Sequence, residues 1–284
     1  MSNTYPVSGT GLGLRRAFIG PLIESPPSNI DFYEVVPENW FNLGGKYSKQ
    51  LRALTEQFPF VAHGLSLSIG SPDPLDRNFV KDMARFLKQH QIKIYSEHLT
   101  YCSDGGHMYD LMPIPFTEEA VDHVADRIIQ VQDILGEQIA IENASYYATP
   151  GKEMEEIDFL NTVIKKADCK LLLDINNIYV NSVNHKYDAV EFMKQLPGER
   201  ISYAHIAGHY NEAEDIIIDT HGADITDPVW SLLDTAYEHF GVFPTLLERD
   251  FNIPPLAELL HEVNTIEQAQ IRHESNTQEK ISNS

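Results

Sequence analysis

Eight short apolar runs recur along the chain, and most of the segments between them have a helical period. The runs are 11-GLGLRR-16, 31-DFYEVV-36, 59-PFVAHGLSLS-68, 93-KIYSEHLT-100, 138-QIAIENAS-145, 170-KLLLDINN-177, 201-ISYAHIAG-208 and 245-TLLERD-250. Continuous apolar runs such as Leu171–Leu172–Leu173 mark strands covered on both faces, as in a parallel sheet. The clearest helix is 117–136, where Val121, Val124, Ile128, Val131 and Leu135 recur at three and four residues and form one stripe. Glu118 and Glu119 suit its first turn and Gly136 its end. Similar stripes run through 76–89, 153–167, 227–240 and 254–266. The helical signal is modest in 188–196, and 20-GPLIESPPSN-29 reads as loop. Strand and helix alternating about eight times over roughly 250 residues is the length and order of a (β/α)8 TIM barrel. A doubly wound open sheet is the main competitor, but neither GxGxxG after an early strand nor GxxxxGK[ST] occurs. No linker is evident. The expectation is an α/β protein with one barrel domain over residues 11–266, an N-terminal extension at 1–10, and a polar, disordered tail at 267–284.

In such a barrel, chemistry gathers at the C-terminal ends of the strands. Those ends carry, in order, Glu34, His63, His98, Glu142, Asp174, His205 and Glu248. The third to eighth strands each deliver a His, Asp or Glu directly after a hydrophobic stretch: FVAH, IYSEH, IAIE, LLLD, ISYAH, TLLE. One strand-end histidine is ordinarily a hydrogen-bonded core residue. Six such residues in register are not explained that way. A carboxylate at the edge of an apolar strand, such as Asp174, is costly unless a cation pairs with it. Imidazole and carboxylate together suit zinc, iron or manganese, and the lack of cysteine in the set argues against a structural thiolate site. More than four donors imply more than one ion. Glu142, on the middle strand, is the candidate bridge between ions about 4 Å apart. In 219-DTH-221, Asp219 and His221 stand at i and i+2, so both can point to one side of an extended chain. Asn177 can add a carbonyl oxygen. Glu34 either orients a ligand or water or is a carboxylate outside the site.

The net charge of −21 argues against broad binding to nucleic-acid phosphates, and bound metal would neutralise part of it. No apolar run approaches the roughly 20 residues of a membrane helix, and the N-terminus has no secretory signal pattern. With only Cys102 and Cys169 there is no disulfide framework, and the cytoplasm is the expected compartment. The connection 101-YCSDGGHMYDLMPIPF-116 is long for its place and is a candidate peptide-binding lid, with Cys102 near the site. His209 and Arg249 either support ligands or are, respectively, a solvated loop residue and an ion-pair partner.

The order His63, His98, Glu142, Asp174, His205, Asp219, His221, Glu248 resembles the metal ligands of xylose-isomerase-like barrels. The trinuclear endonuclease IV is the closest well-known arrangement. The segments GLGLRR, YEVVPENWF, VAHGLSLSIG, SEHLTY, IENASYY, LLDINNIYVN, AHIAGH and DTHG more specifically resemble the multinuclear non-heme iron-dependent oxidase family, and they cover nearly all of 11–250. The resemblance implies two or three iron ions, with zinc or manganese as metals the isolated protein could carry. It implies O2-dependent oxidation of cysteine residues in a ribosomally made precursor peptide, in several members toward a copper-binding product. It also implies a small partner protein that presents the precursor's leader. Carried over by residue, His63, His98 and Glu142 hold one ion. Glu142, Asp174, His205 and Glu248 hold the next, and Asn177, Asp219 and His221 hold a third. Glu142, Asp174 and His205 lie closest to the chemistry. Asn177 stands where endonuclease IV has a histidine, and its weaker amide ligand leaves the third position loose. That departure and the charge favour the oxidase over a zinc-dependent phosphoesterase. The other rivals are a sugar isomerase on the same barrel, for which no strand-end lysine stands out, and a metal-binding protein without catalysis.

Overall fold

A computed structural model describes residues 5–41 and 43–282, with side chains described as far as residue 276. The strands, in chain order, are β1 (Thr10–Gly13), β2 (Phe32–Val35), β3 (Phe60–Gly64), β4 (Tyr95–His98), β5 (Thr100–Ser103), β6 (His107–Pro113), β7 (Ala140–Glu142), β8 (Lys170–Asp174), β9 (Ile201–Ile206), β10 (Tyr210–Ala213), β11 (Ile216–Ile218) and β12 (Thr245–Leu247). The helices are α1 (Ile19–Glu24), α2 (Gly45–Thr55), α3 (Arg77–His90), α4 (Glu118–Leu135), α5 (Glu156–Ala167), α6 (Ile175–His185), α7 (Ala189–Lys194), α8 (Asp227–Phe240) and α9 (Leu256–Ser282). Eight strands, β1-β12-β9-β8-β7-β4-β3-β2, close a barrel, and every pair in it is parallel. The pairs β5–β6 and β10–β11 are antiparallel hairpins inserted after β4 and β9. The chain is a single-domain (β/α)8 barrel, and each strand of its wall lies within or overlaps one of the eight apolar runs. Among the described residues no helix is long and apolar enough to cross a membrane.

The apolar runs are continuous because both faces of each strand are buried. Phe32, Val61, Ile94, Ala140, Leu172, Tyr203 and Leu246 form an inner cluster inside the barrel. Their neighbours, including Tyr33, Ala62, Leu171, Leu173, Ala204 and Leu247, pack outward against the helices. Strand side chains alternate, so the residue two positions on returns to the interior, one layer nearer the C-terminal mouth. Those residues are Glu34, His63, Ser96, Glu142, Asp174, His205 and Glu248. The polar layer is thus the next storey of the same barrel. On β1 the inner position is Gly11, where a Cβ would lie 2.4 Å from the Phe32 ring. The missing side chain leaves room for that ring.

Two expectations are corrected. Residues 19–24 form α1 within the segment read as loop. Ile19 and Leu22 are buried on one side of it, and Pro21 lies in the first turn, where an amide N–H has no helical partner to lose. The segment 267–284, expected to be disordered, continues α9 as far as Ser282. The stripe Leu259, Val263, Ile266 runs on into buried Ala269 and Gln270. Gln270 seals the barrel floor: its Nε2 donates to the Gly9 and Phe243 carbonyls at 3.1 Å each, and its Oε1 accepts from Thr10 Oγ1 at 3.2 Å. Buried amide groups need such partners, and a polar composition hid this one. Of the expected N-terminal extension, residues 5–10 are described, and Thr10 already belongs to β1.

Candidate metal centre

The strand-end residues converge in one chamber at the barrel mouth. Three linked groups of ligand atoms lie within 4.8 Å of one another: His63, His98, Glu142; then Glu142, Asp174, His205; then Asp174, His221, Glu248. Glu142 and Asp174 are each shared by two groups. His63 Nε2 lies 3.0 Å and His98 Nε2 3.5 Å from Glu142 Oε2, and the two imidazole nitrogens are 3.2 Å apart. His205 Nδ1 is 2.9 Å from Glu248 Oε2 and 3.9 Å from Asp174 Oδ2. His221 Nε2 is 2.7 Å from Asp219 Oδ1, and its Nδ1 is 3.2 Å from Glu248 Oε2. Glu34 forms a further close group with His205 and Glu248, but its Oε2 sits 2.9 Å from Nε2, the ring nitrogen opposite the one that faces Glu248.

These contacts are short, yet many are not aligned as hydrogen bonds. Glu142 Oε2, Asp174 Oδ2, Asn177 Oδ1, His205 Nδ1 and His221 Nε2 are buried with no hydrogen-bond partner. Each such group costs about 1–3 kcal/mol. Atoms that approach closely but aim past one another share a third target, as metal ligands do. The outer ring nitrogens are anchored: His98 Nδ1 donates to the Gly64 carbonyl at 3.0 Å, and His63 Nδ1 is 2.8 Å from Ser96 Oγ. Since a carbonyl only accepts, the lone pair of a neutral His98 is left on Nε2, which faces the chamber. The donor set therefore fits a multinuclear centre of histidine and carboxylate ligands.

The charges agree. Burial alone would raise Glu142, but the His98 and His63 rings outweigh it and lower it to about 2. Burial would lower His98, but Glu142, Glu97 and Glu248 push it up to about 10. Burial likewise opposes the charge on His205 and His221, yet Glu248 with Glu34, and Asp219 with Glu248, hold both well above the usual range. Asp174 goes well above the normal carboxylate range through burial and the adjacent Glu142, whereas Glu248 is held well below it by His205 and His221 against burial. Protons must balance this many carboxylates in one buried space, and multivalent cations can replace those protons.

Local structure explains the placement. Asp174 ends β8 and caps α6, its Oδ1 accepting from Asn177 N at 2.6 Å. Asn143 and Asp174 tie the ends of β7 and β8 through two bonds of 2.8 and 2.9 Å. Asn177 Nδ2 donates to Glu142 Oε1 at 3.0 Å and to the Asn143 carbonyl at 3.2 Å, so two acceptors fix its amide and leave Oδ1 unpaired. The side-chain hydrogen bonds of Asn177 are thus with Glu142 and Asn143. Asp219 is held instead by Asn176 Nδ2 at 2.9 Å and Ser145 Oγ at 2.8 Å. His209 is buried, pushed down by that burial, and its Nδ1 meets Asn176 Oδ1 at 2.8 Å. Ser96, Asn143, Ser145, Asn176 and Tyr203 escaped the sequence reading. Only the inward alternation of Ser96 and Tyr203 could have revealed those two.

Arg249 pairs with Glu262 at 2.8 Å and Asp224 at 3.1 Å, so it belongs to an ion-pair network. Cys102 is buried, its thiol pushed up by burial, with Sγ 3.6 Å from the Leu65 carbonyl. The connection 101–116 is largely the β5–β6 hairpin, with Tyr109 fully exposed. The chamber opens on the side of His98, Asp219 and His221, whose side chains are 14, 14 and 11% exposed, whereas Asp174 and His205 are sealed.

The sequence model of a family described as RiPP precursor modification enzyme MbnB/TglH/ChrH matches residues 9–271. A UPF0276 protein of Shewanella oneidensis is 60% identical over 271 residues, covering 95% of this chain and 97% of that one. Another, of Pseudomonas aeruginosa, is 50% identical over 266 residues, with 94% of each chain covered. Among solved structures, D-psicose 3-epimerase of Clostridium cellulolyticum, crystallised with D-tagatose, superposes with a TM-score of 0.59 at 10% identity, covering 95% of this chain and 98% of that one. The IOLI protein, crystallised with a zinc atom, superposes with a TM-score of 0.60 at 15% identity, covering 95% and 97%. At such identities these two share the (β/α)8 barrel fold with this chain.

Proposed function

Because the chain belongs to the MbnB/TglH/ChrH family of RiPP precursor modification enzymes, we propose that it is a multinuclear iron-dependent oxidase that uses O2 to modify cysteine residues of a ribosomally made precursor peptide. The observation that carries the metal part is the set of five buried, unpartnered ligand atoms aimed into one chamber. His63, His98 and Glu142 hold one ion, and Glu142, Asp174, His205 and Glu248 the next. Asp219 and His221, with the Asn177 carbonyl oxygen, hold a third. Bound iron supplies one-electron redox chemistry and a position where a thiolate and O2 can meet.

The remaining work falls to the chain's own residues. Glu142 and Asp174 fix the spacing of adjacent positions because each belongs to two ligand groups. The apolar storey beneath the chamber keeps water out from below. The partly open edge at His98 and His221 leaves an approach from the mouth for a cysteine side chain. Leu65, Tyr147 and Phe251 are exposed in connections on the mouth side, and the β5–β6 hairpin projects there as a lid for the peptide backbone. A small partner protein presents the leader, and the reaction takes place in the cytoplasm. The net charge of −21 argues against broad binding to nucleic-acid phosphates.

The test is to purify the protein anaerobically, measure iron and zinc, and follow O2 uptake and peptide mass with a co-expressed cysteine-containing precursor. Iron, O2 consumption and a mass change on a cysteine are expected. Zinc alone, with no mass change on any cysteine peptide, refutes the oxidase and favours a hydrolase.

A further inference from the structure

Six strands, and Ile94 just before β4, place seven residues in the inner storey of the barrel, and of these only Tyr203, on β9, carries a hydroxyl. Its ring packs with Phe32 at a centroid distance of 6.3 Å and an interplanar angle of 88°. Its hydroxyl points up into the polar storey, where it meets Glu34 Oε2 at 2.7 Å and Ser96 Oγ at 2.7 Å. A buried tyrosine hydroxyl ordinarily has a partner. This one has two, and each leads to a different histidine.

We propose that Tyr203 is a positioning residue which, with Ser96, links the Glu34 carboxylate to both His205 and His63, so that one buried carboxylate sets the proton positions on two ligand rings in different ligand groups. The inference rests on the metal reading of His63 and His205 given above.

The direction of each bond follows from the one before it. The Glu34 carboxylate only accepts, so Tyr203 O–H and His205 Nε2–H, at 2.7 and 2.9 Å, both donate to Oε2. Tyr203 has then used its proton, and its oxygen accepts from Ser96 O–H. Ser96 has then used its own, and Oγ accepts from His63 Nδ1–H at 2.8 Å. The other acceptor open to Ser96, the Ala62 carbonyl, is farther away at 3.2 Å. The chain His63–Ser96–Tyr203–Glu34–His205 therefore runs one way from His63 to the carboxylate, with His205 donating from the other side. All five residues are buried, so no solvent competes for these bonds. With ring protons committed at His63 Nδ1 and His205 Nε2, the nitrogens left to hold an ion are His63 Nε2 and His205 Nδ1, which face the chamber. Partners of this kind typically change metal affinity by 10–100-fold. Ser96 touches His63, Tyr203 bridges, and the effect arrives at His205 on β9.

The experiment uses full-length protein with 15N-labelled histidine, zinc-loaded and metal-free, and reads the ring nitrogens of His63 and His205 separately by NMR. Ser96→Ala removes the partner of His63 alone, yet it should also move the His205 Nε2 resonance. In a Tyr203→Phe background that second effect should vanish. Tyr203→Phe should also weaken cobalt(II) binding about tenfold in chelator competition, measured on metal-free protein that is shown to be folded, although less stable for the two buried hydrogen bonds it loses. If Ser96→Ala moves His63 only, or Tyr203→Phe leaves cobalt affinity unaltered, the relay is refuted. Should Tyr203→Phe fail to fold, Glu34→Gln read at His63 tests the same link. A wild-type protein that binds no metal but keeps the cross-effect refutes the metal reading and leaves the relay standing.

Discussion

Asp174→Asn should stabilise the metal-free protein and cripple the metal-loaded one. Asp174 is sealed from solvent, and burial together with the adjacent Glu142 raises its pKa well above the ordinary value of 3.8. A group raised on folding contributes stability that is complete below its unfolded pKa and is lost as pH rises through its folded pKa. While the folded protein keeps a proton that the unfolded chain has lost, each pH unit removes about 1.4 kcal/mol of stability. Between pH 3.8 and neutrality the loss at pH 7 is therefore at most about 4 kcal/mol. Asparagine escapes that loss, has nearly the same shape, and caps a helix about as well as aspartate, so the bond from Asn177 N survives. A gain that stays within that bound is expected for the stripped protein at pH 7, shrinking to nothing near pH 4. With metal the order reverses. An ion at 100 times its dissociation constant adds about 2.7 kcal/mol to the wild type. Asp174 serves two ligand groups, so the variant forfeits more than one such contribution. Urea denaturation of stripped and loaded proteins at pH 4.5 and 7 gives all four stabilities. A variant less stable than wild type when stripped at pH 7 would refute the reasoning, because burial of the Asp174 carboxylate, with Glu142 beside it, would then not be the dominant force at that position.

Glu142→Gln should lower the metal content by two ions per chain and His98→Ala by one, as read by elemental analysis, because Glu142 belongs to two groups and His98 to one. Glu156 lies outside the centre, raised by burial to about 7, with Tyr146 and Asn181 donating to it. The contribution of Glu156 to stability should therefore fall by about 3 kcal/mol between pH 4.5 and 8, and Glu156→Gln should remove about that much from the wild-type decline over the same range. Gln270→Ala removes the group that pairs with Thr10, Gly9 and Phe243 under the barrel and should cost about 1–3 kcal/mol in thermal or chemical unfolding. A freely disordered tail would give no change.

What could be read in advance was what repeats with the geometry of the chain. The apolar runs located the barrel strands because strands covered on both faces leave a continuous signature. Five of the candidate ligands, His63, Glu142, Asp174, His205 and Glu248, were legible because each stands two residues beyond an interior hydrophobe, as His63 does after Val61 and Asp174 after Leu172. Pairings between distant strands carried no such signal. Tyr203 and Ser96 are 107 residues apart, and nothing local marks them as partners. Asn176 and Asn177 are adjacent with opposite tasks, one bound to Asp219 and the other to Glu142, and only the turn of α6 separates them. The tail misled because Gln270 is polar by composition, although it is buried against backbone carbonyls. His209 reads in sequence as either a support for a ligand or a solvated loop residue, and it lies buried against Asn176.

The central claim is that shared ligands at the barrel mouth hold neighbouring ions. Crystals of anaerobically prepared, iron-loaded protein, measured on both sides of the iron absorption edge, test that directly. Separate anomalous peaks are expected, one among His63, His98 and Glu142 and a second among Glu142, Asp174 and His205. A single peak touching neither Glu142 nor Asp174, or iron-saturated crystals with no peak in the chamber, would contradict it.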